Sequence, residues 1–472
     1  MNNLSKTKIV CTIGPACNSP NVIEEMITAG MNVARLNFSH GTLLDHEQNI
    51  KNIRLISTRL KKPVAIIQDL SGPKIRIKTF YKESVILKAG DQFTLTSKVI
   101  KGNEKIASVT YPLLPDYVFA GDPILLCDGE IELNVLHKDN TDIVCQVIVG
   151  GELSAHKGIN IPTRSLPIPS LTEKDKGDLD FGIEHDVDYV ALSFVKNADD
   201  VLQLKELLQQ KNKDIPVIAK IEKHEALSRL EDIIKTADAI MVARGDLGVE
   251  IPLEQIPLVQ KRIIHLANRY CKPVITATQM LESMVNNYRP TRAETTDVAN
   301  AIFDGSDAVM LSEETAKGRY PVQAIRMLSK IAREVEPNLI REKDFESVHS
   351  PEDPTAVPNA ISIATCQVAD NLNINAIITS TRTGSTARFI SRHRSKQLIL
   401  AVTPSLHTYR RLALVWGVIP ILTELTQNTD DMMKKSIEAA KEAGYIHEGE
   451  KVVITGGIPV WEPGSTNLLR VY

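Results

Sequence analysis

The chain has 472 residues, 43% of them hydrophobic and 24% charged, with a formal net charge of −3. That length points to two to four domains. The near-neutral charge and an aromatic content of 4% argue against a nucleic-acid or anionic-membrane partner and against a base-stacking surface. The six cysteines, Cys11, Cys17, Cys127, Cys145, Cys271 and Cys366, form no C-x-x-C pair and fit no zinc spacing. They read as small buried hydrophobes of a reducing compartment. Met1 to Lys6 holds no apolar signal core, and no apolar run reaches membrane-spanning length, so the expected location is cytoplasmic.

From the N-terminus, short apolar runs alternate with amphipathic segments, the pattern of βα units feeding a parallel sheet. Strands are predicted at Ile9–Cys11, Val33–Leu36, Val64–Ile67, Tyr189–Leu192, Val217–Ala219, Ala239–Val242, Val274–Thr276 and Ala308–Leu311. A first helix opens at Ser19-Pro20, an N-cap followed by proline, and stops at Gly30. Another follows Thr291, with Glu294 three residues on as in a capping box. Eight strands with intervening helices predict a (β/α)8 TIM barrel, although a doubly wound sheet would show the same periodicity.

Residues 77–157 lack long helical periodicity and read as short strands with turns. They predict a small all-β, β-barrel-like domain inserted after the third strand, overhanging the barrel's active face as a lid. The segment Ser350–Pro354 reads as a linker. Beyond it, strands at Ala376–Thr379, Leu398–Val402 and Lys451–Ile454 predict an open α/β domain. The expected plan is a barrel from 1–76 and 158–345, an insert from 77–157 and a C-terminal domain from 350–472.

Polar residues gather after the strands. Arg35, Asn37 and Ser39 follow the second, and Asp69 and Arg76 the third. Lys220 and Glu222 close the fifth, Asp246 follows the sixth, Thr278 the seventh, and Ser312 to Glu314 the eighth. In a barrel these loops converge on one face. Lys220 and Glu222, two apart in an extended strand, point to the same side. If Ala239–Ala243 is the neighbouring parallel strand, Asp246 brings a second carboxylate to the same ammonium. Two hard oxygen ligands suit a magnesium ion that takes further oxygens from substrate. A lysine beside them suits a transferring phosphoryl group. Each residue alone is also readable as an ordinary loop polar group, and Lys220 as a surface salt bridge to Glu222. His40, His185, His224 and His265 lie in separate units without a G-x-S-x-G elbow, and Gly245 to Gly248 holds no Walker pattern.

Five runs together resemble the pyruvate kinase family, in order and over almost the whole chain. They are Thr7–Ala16 (TKIVCTIGPA), Gly30–Gly41 (GMNVARLNFSHG), Ile218–Glu222 (IAKIE), Met241–Glu250 (MVARGDLGVE) and Ala277–Met284 (ATQMLESM). The resemblance implies transfer of a phosphoryl group from phosphoenolpyruvate to ADP, giving pyruvate and ATP. It implies that Glu222 and Asp246 hold Mg2+ or Mn2+, that Lys220 stabilises the migrating phosphoryl group, and that Arg35 contacts it. Ala243, Arg244, Gly245 and Asp246, through their backbone, and Thr278, through its hydroxyl, would bind the substrate carboxylate. Thr278 would also lie near the enolate carbon. Asn37, Phe38, Ser39, His40, Arg76 and Lys157 fall in the nucleotide region. Asn37, Ser39, Asp69 and Leu70 are the family's positions for K+, its usual monovalent cofactor. A homotetramer regulated by a phosphorylated effector is implied as well.

Two departures stand out. Potassium-dependent members usually carry Asp-Thr-Lys-Gly-Pro-Glu-Ile-Arg-Thr in the third-strand loop, where this chain has Asp69-Leu70-Ser71-Gly72-Pro73-Lys74-Ile75-Arg76-Ile77. Lys74 replaces the glutamate, which resembles the potassium-independent subgroup. A compact ammonium can stand in for a monovalent cation, the alternative being a solvated loop lysine. Glu313 stands where the family usually has glycine, and nothing in the sequence explains it.

In the last domain, Ser380, Thr381, Arg382, Thr383, Gly384, Ser385 and Thr386 lie between a strand and a predicted helix. Hydroxyls, a glycine and a helix N-terminus can cradle phosphate, and a capped turn has the same composition. In the family this loop receives the effector's phosphate. Gly456 to Asn467 resembles the family's effector-loop region, where Trp461 would stack on a ligand or simply pack. Two rival readings remain at this level. One is a barrel lyase binding an enolate on magnesium, which needs neither Lys220 nor a nucleotide. The other is a regulatory paralogue that senses sugar phosphates without turnover.

Overall fold

The eight predicted runs close into one parallel barrel in a computed structural model that describes residues 5–339, 355–460, 464 and 466–472. The strands are β1 (Lys8–Thr12), β2 (Val33–Asn37), β3 (Ala65–Asp69), β4 (Tyr189–Leu192), β5 (Val217–Ile221), β6 (Ala239–Ala243), β7 (Val274–Ala277) and β8 (Ala308–Leu311). They run round the ring in chain order, and β8 returns to β1 with Ala308 opposite Lys8. Closure removes the doubly wound alternative.

Alternation along each strand separates two apolar layers. Val10, Val33, Ile67, Ile218, Met241 and Ile275 fill the barrel interior. Their neighbours Ile9, Cys11, Leu36, Ile66, Ala219 and Ile240 face the surrounding helices. Burial on both faces explains why these strands read as unbroken apolar runs. The first predicted helix spans Pro20–Ala29 and ends on Gly30 at φ 126°, a backbone angle that favours glycine. The helix Arg292–Phe303 opens on the expected capping box of Thr291 and Glu294.

Between β3 and β4 lies a sheet domain. Six strands run in the spatial order Ile159–Asn160, Pro123–Leu126, Ile131–Lys138, Asp142–Val149, Gln92–Thr96 and Ile106–Ser108. A separate pair joins Ser84–Leu87 to Gly151–Ser154. Val85 and Leu153 of the pair share one core with Phe93, Leu95, Leu126 and Leu133 of the larger sheet. The insert is therefore two sheets over a common core, not one closed ring. The larger sheet stays open because its edges are a two-residue strand and a three-residue strand.

The C-terminal sheet runs Val418–Leu422, Leu398–Thr403, Ala376–Ser380, Val453–Gly457 and Thr466–Val471, the last strand antiparallel. The first and last were not expected from the sequence. Val418–Leu422 contains Pro420, which a strand tolerates at a sheet edge. The predicted linker Ser350–Pro354 and Trp461 lie outside the described residues.

This domain seals the N-terminal end of the barrel. Ala413 and Leu414 join the interior layer of the barrel. Lys8 Nζ donates to the Val418 carbonyl at 2.7 Å, and Asp307 accepts from the Trp416 backbone N–H at 3.1 Å and pairs with Arg394 at 3.2 Å. The opposite mouth, where the strands end, carries the polar loop residues expected from the sequence. Among the described residues, no helix is long and apolar enough to cross a membrane.

Candidate active site

At that open mouth, β5 and β6 are parallel neighbours, with Lys220 opposite Met241. Ile218 faces the barrel interior, so Lys220 and Glu222, at two-residue steps beyond it, face inward too. Lys220 is 8% exposed and Glu222 1%. The Lys220 ammonium lies 2.8 Å from Glu222 Oε1, 3.2 Å from Asp69 Oδ1 and 2.7 Å from Ser193 Oγ. Arg35 Nε holds the other Asp69 oxygen at 2.6 Å, and its Nη1 donates to Thr12 Oγ1 at 3.0 Å. Lys220 does pair with Glu222, but in a buried pocket and not as a surface salt bridge.

The electrostatics follow from this burial. Burial alone would lower the Lys220 pKa, but Asp69 and Glu222 outweigh it and hold the ammonium above its ordinary value. Burial would raise Asp69, yet the charges of Lys220 and Arg35 keep its carboxyl below the usual carboxylate range. Glu222 goes the other way: burial raises it, Lys220 opposes, and the neighbouring charge of Asp246 raises it further. The pocket therefore holds one carboxylate whose negative charge is incompletely answered by the protein.

Ser193 was not expected from the sequence. It follows β4, donates to the Leu70 carbonyl at 2.8 Å, and links the β3 loop to Lys220. Next to it, Phe194 has φ 58° and gives its backbone N–H to Glu222 Oε2 at 2.7 Å. Gly72 makes this approach possible, since a Cβ there would lie 2.7 Å from the Phe194 ring and 2.9 Å from Ser193 Cβ.

Asp246 sits in the short helix Arg244–Glu250 that starts where β6 ends. Its Oδ1 is 3.0 Å from Lys74 Nζ, which also reaches Asp128 Oδ1 of the sheet domain at 3.3 Å. Burial would lower Lys74, but Asp246 and Asp128 hold it above its ordinary value. Lys74 thus has Asp246 and Asp128 as its acidic partners. Of the residues at the family's monovalent-cation positions, Asn37 Oδ1 accepts from Ser39 N at 3.1 Å, Asp69 pairs with Arg35 and Lys220, and the Leu70 carbonyl takes Ser193.

Thr278 follows β7 at φ 69° and Gln279 at φ 55°, two successive left-handed residues that are not glycine. The turn is pinned from β6. Gly245 N donates to Thr278 Oγ1 at 2.8 Å, and Arg244 Nη2 donates to the Thr278 carbonyl at 2.7 Å. The Arg244 side chain also pairs with Asp297 at 2.7 Å, so it braces the loop.

The residues expected in the nucleotide region differ among themselves. Ser39, His40 and Lys157 are exposed, and Arg76 is half-buried with Nη1 on the His156 carbonyl at 2.9 Å. The Phe38 ring is buried and stacked on His46 at 4.2 Å, while its carbonyl accepts from Lys174 at 2.8 Å. Glu313 pairs with Lys317 at 2.7 Å on the surface. Its neighbour Glu314 is the buried one, accepting from the backbone N–H of Ser312 at 2.7 Å and of Leu281 at 3.0 Å.

In the distant loop 380–386, Gly384 adopts φ 83° and donates to Thr381 Oγ1 at 2.9 Å. Ser380 Oγ meets Ser436 Oγ at 2.9 Å, and Thr386 Oγ1 meets Thr466 Oγ1 at 2.6 Å. Arg382 and Thr383 are exposed, and Ser385 is half-buried.

A closed (β/α)8 barrel with a buried lysine, an arginine and carboxylates at the strand ends carries the groups that metal-assisted phosphoryl transfer calls for. The family models for the pyruvate kinase barrel domain and the pyruvate kinase alpha/beta domain match residues 4–325 and 359–472. The chain is 48% identical to pyruvate kinase of Thermotoga maritima over 468 residues, 99% of each chain. It is 49% identical to pyruvate kinase 2 of a Synechocystis strain over 470 residues, 99% of this chain and 79% of that one. The crystal structure of a pyruvate kinase from Cryptosporidium parvum superposes with a TM-score of 0.91 at 37% identity, covering 99% of this chain and 96% of that one. The chain belongs to the pyruvate kinase family, the divalent-metal-dependent glycolytic enzymes that move the phosphoryl group of phosphoenolpyruvate to ADP. That assignment sets aside the lyase reading.

Proposed function

We propose that Lys220 stabilises the phosphoryl group in flight from phosphoenolpyruvate to ADP, with Arg35 contacting the same group. One observation carries this reading: a charged lysine held by three oxygens inside a barrel mouth, where desolvation strengthens its field. Thr278 and the backbone of Ala243–Asp246 hold the substrate carboxylate, with Thr278 near the enolate carbon. Asn37, Phe38, Ser39, His40, Arg76 and Lys157 line the path of the nucleotide, Phe38 through its backbone alone.

Glu222 and Asp246 fit a divalent ion, Mg2+ or Mn2+. They are hard oxygen donors, and the raised pKa of Glu222 reflects a negative charge that a cation would relieve. When bound, such an ion supplies Lewis-acid charge to substrate oxygens. We further propose turnover without K+, with Lys74 supplying the fixed positive charge beside Asp246. The domains divide as barrel (1–76 and 158–345), lid (77–157) and effector domain (350–472). The loop 380–386 takes the phosphate of a regulatory ligand, in a cytoplasmic homotetramer.

A coupled assay with phosphoenolpyruvate and ADP, each cation omitted in turn, tests the reading. Turnover that needs Mg2+ or Mn2+ but not K+ is expected. Strong potassium dependence would remove the role given to Lys74.

A further inference from the structure

The segment Asn37–Gly41 leads from β2 into the helix Leu43–Leu60 and carries Ser39 and His40, both exposed at the barrel mouth. The helix opens on a capping box. Asp45 N donates to Thr42 Oγ1 at 3.2 Å, and Thr42 N donates to Asp45 Oδ2 at 2.9 Å. His46 is the next residue. Helical side chains lean toward the N-terminus of their helix, which carries His46 back against the segment that precedes it. It is 6% exposed.

His46 grips the loop at two points. Its Nε2 lies 3.0 Å from the His40 carbonyl, and its ring stacks on Phe38, centroids 4.2 Å apart and planes 15° from parallel. A carbonyl can only accept, so Nε2 carries the proton. Nδ1 is then the bare nitrogen, and it is buried without a hydrogen-bond partner. Burial holds the imidazole below its ordinary pKa, against the pull of the His40 carbonyl and Asp45, so the ring is neutral at pH 7. Other elements hold the near half of the loop. Phe38 N donates to the Asp69 carbonyl at 3.0 Å, the Phe38 carbonyl accepts from Lys174 at 2.8 Å, and Phe181 meets the Phe38 ring at 5.7 Å. The far half has less. The backbone N–H groups of Ser39 and His40 both turn to Asn37, inside the loop. Among the described residues, His46 gives the one hydrogen bond that reaches residues 39–41 from outside the loop.

We infer that His46 is a positioning residue for the nucleotide, fixing the loop Asn37–Gly41 in the shape that presents Ser39 and His40 to ADP. The inference rests on the reading of that loop as part of the nucleotide's path. The stack on Phe38 sets the plane of the imidazole, and the Nε2–H bond carries that placement to the His40 backbone. A loop shaped in advance spares the nucleotide the cost of ordering it on binding. His46 itself touches no substrate. Its loss therefore falls on the affinity for ADP and leaves the phosphoenolpyruvate end of the site, at Lys220 and Thr278, in place.

Steady-state kinetics on the full chain, with ADP and phosphoenolpyruvate varied separately, test this. His46→Phe keeps the stack and removes the donor. It is expected to raise KM for ADP about fivefold to tenfold, the loss of one hydrogen bond, with KM for phosphoenolpyruvate within about twofold. Should that variant not fold, His46→Asn, too short to place a donor at Nε2, is expected to show the same split. His46→Gln puts an amide N–H close to the Nε2 position and should bring KM for ADP back to within about threefold of wild type. An equal rise in both KM values, an unchanged KM for ADP, or no recovery in His46→Gln would overturn the inference. His40→Ala and Arg76→Met probe the nucleotide path itself, and each is expected to raise KM for ADP. If they do and the His46 variants do not, the positioning role alone falls. If neither does, the loop is not on the nucleotide's path and the inference falls with that reading.

Discussion

Lys220 stays charged in a buried place because Asp69, Glu222 and Ser193 surround it. Removing the ammonium leaves two buried carboxylates, Asp69 still paired with Arg35 and Glu222 holding the Phe194 backbone N–H. Lys220→Met is therefore expected to lower kcat by at least about a hundredfold, the range seen when a preorganised electrostatic group is deleted. Effector binding at the far domain should persist, and a variant with undiminished turnover would defeat the assignment. Lys74→Glu tests the cation idea at the neighbouring position: it should impose a potassium requirement that the wild type lacks, read from rates with and without KCl. The sequence shows Lys220 and Glu222 well, since a two-residue step along a strand fixes a shared face. It hides Ser193, because a lone serine after a strand carries no pattern. It also hides the partner of Lys74, because Asp128 belongs to an inserted domain whose placement no local spacing encodes.

The helix Arg292–Phe303 shows how local chemistry anchors the loop beyond Thr278. Thr291 Oγ1 accepts from Glu294 N at 3.2 Å, and the Glu294 carboxylate accepts in return from Thr291 N at 2.7 Å and from Ser283 N at 2.7 Å. The box therefore ties the helix start to the segment that follows β7. Thr291→Ala is expected to cost about 1 kcal/mol, as for other lost N-caps. A urea titration checks this, and an unchanged midpoint would show the cap to be idle. The same box was readable beforehand, as were all eight barrel strands, because both signals are local. Two strands of the C-terminal sheet were not. A proline inside Val418–Leu422 weakens its strand signal, and the sheet's finished order is what places this strand at an edge.

The two α/β domains meet through buried charge. Burial brings the Lys8 ammonium from 10.5 down to about 8, against the opposing pull of Glu336 and Asp307. Its folded pKa is thus below its unfolded one. Below pH 8 the native state carries the full cost of a buried ammonium. From pH 8 to about 10.5 the native Lys8 loses its proton first, so stability rises with pH. Lys8→Met has no such slope. The melting temperature of wild type should gain on the variant between pH 8 and 10, by the equivalent of about 2 kcal/mol. Parallel melting curves would show that Lys8 is already neutral at pH 8. The base of the barrel carries one more implication. Ala413 and Leu414, which complete the interior of a barrel whose last strand ends at Leu311, come from sequence made about a hundred residues later. A ribosome therefore releases every stave of the cask well before its cork. The nascent barrel must wait with an uncovered floor, and trimming the chain to residues 1–345 should yield a leaky vessel in place of a minimal enzyme.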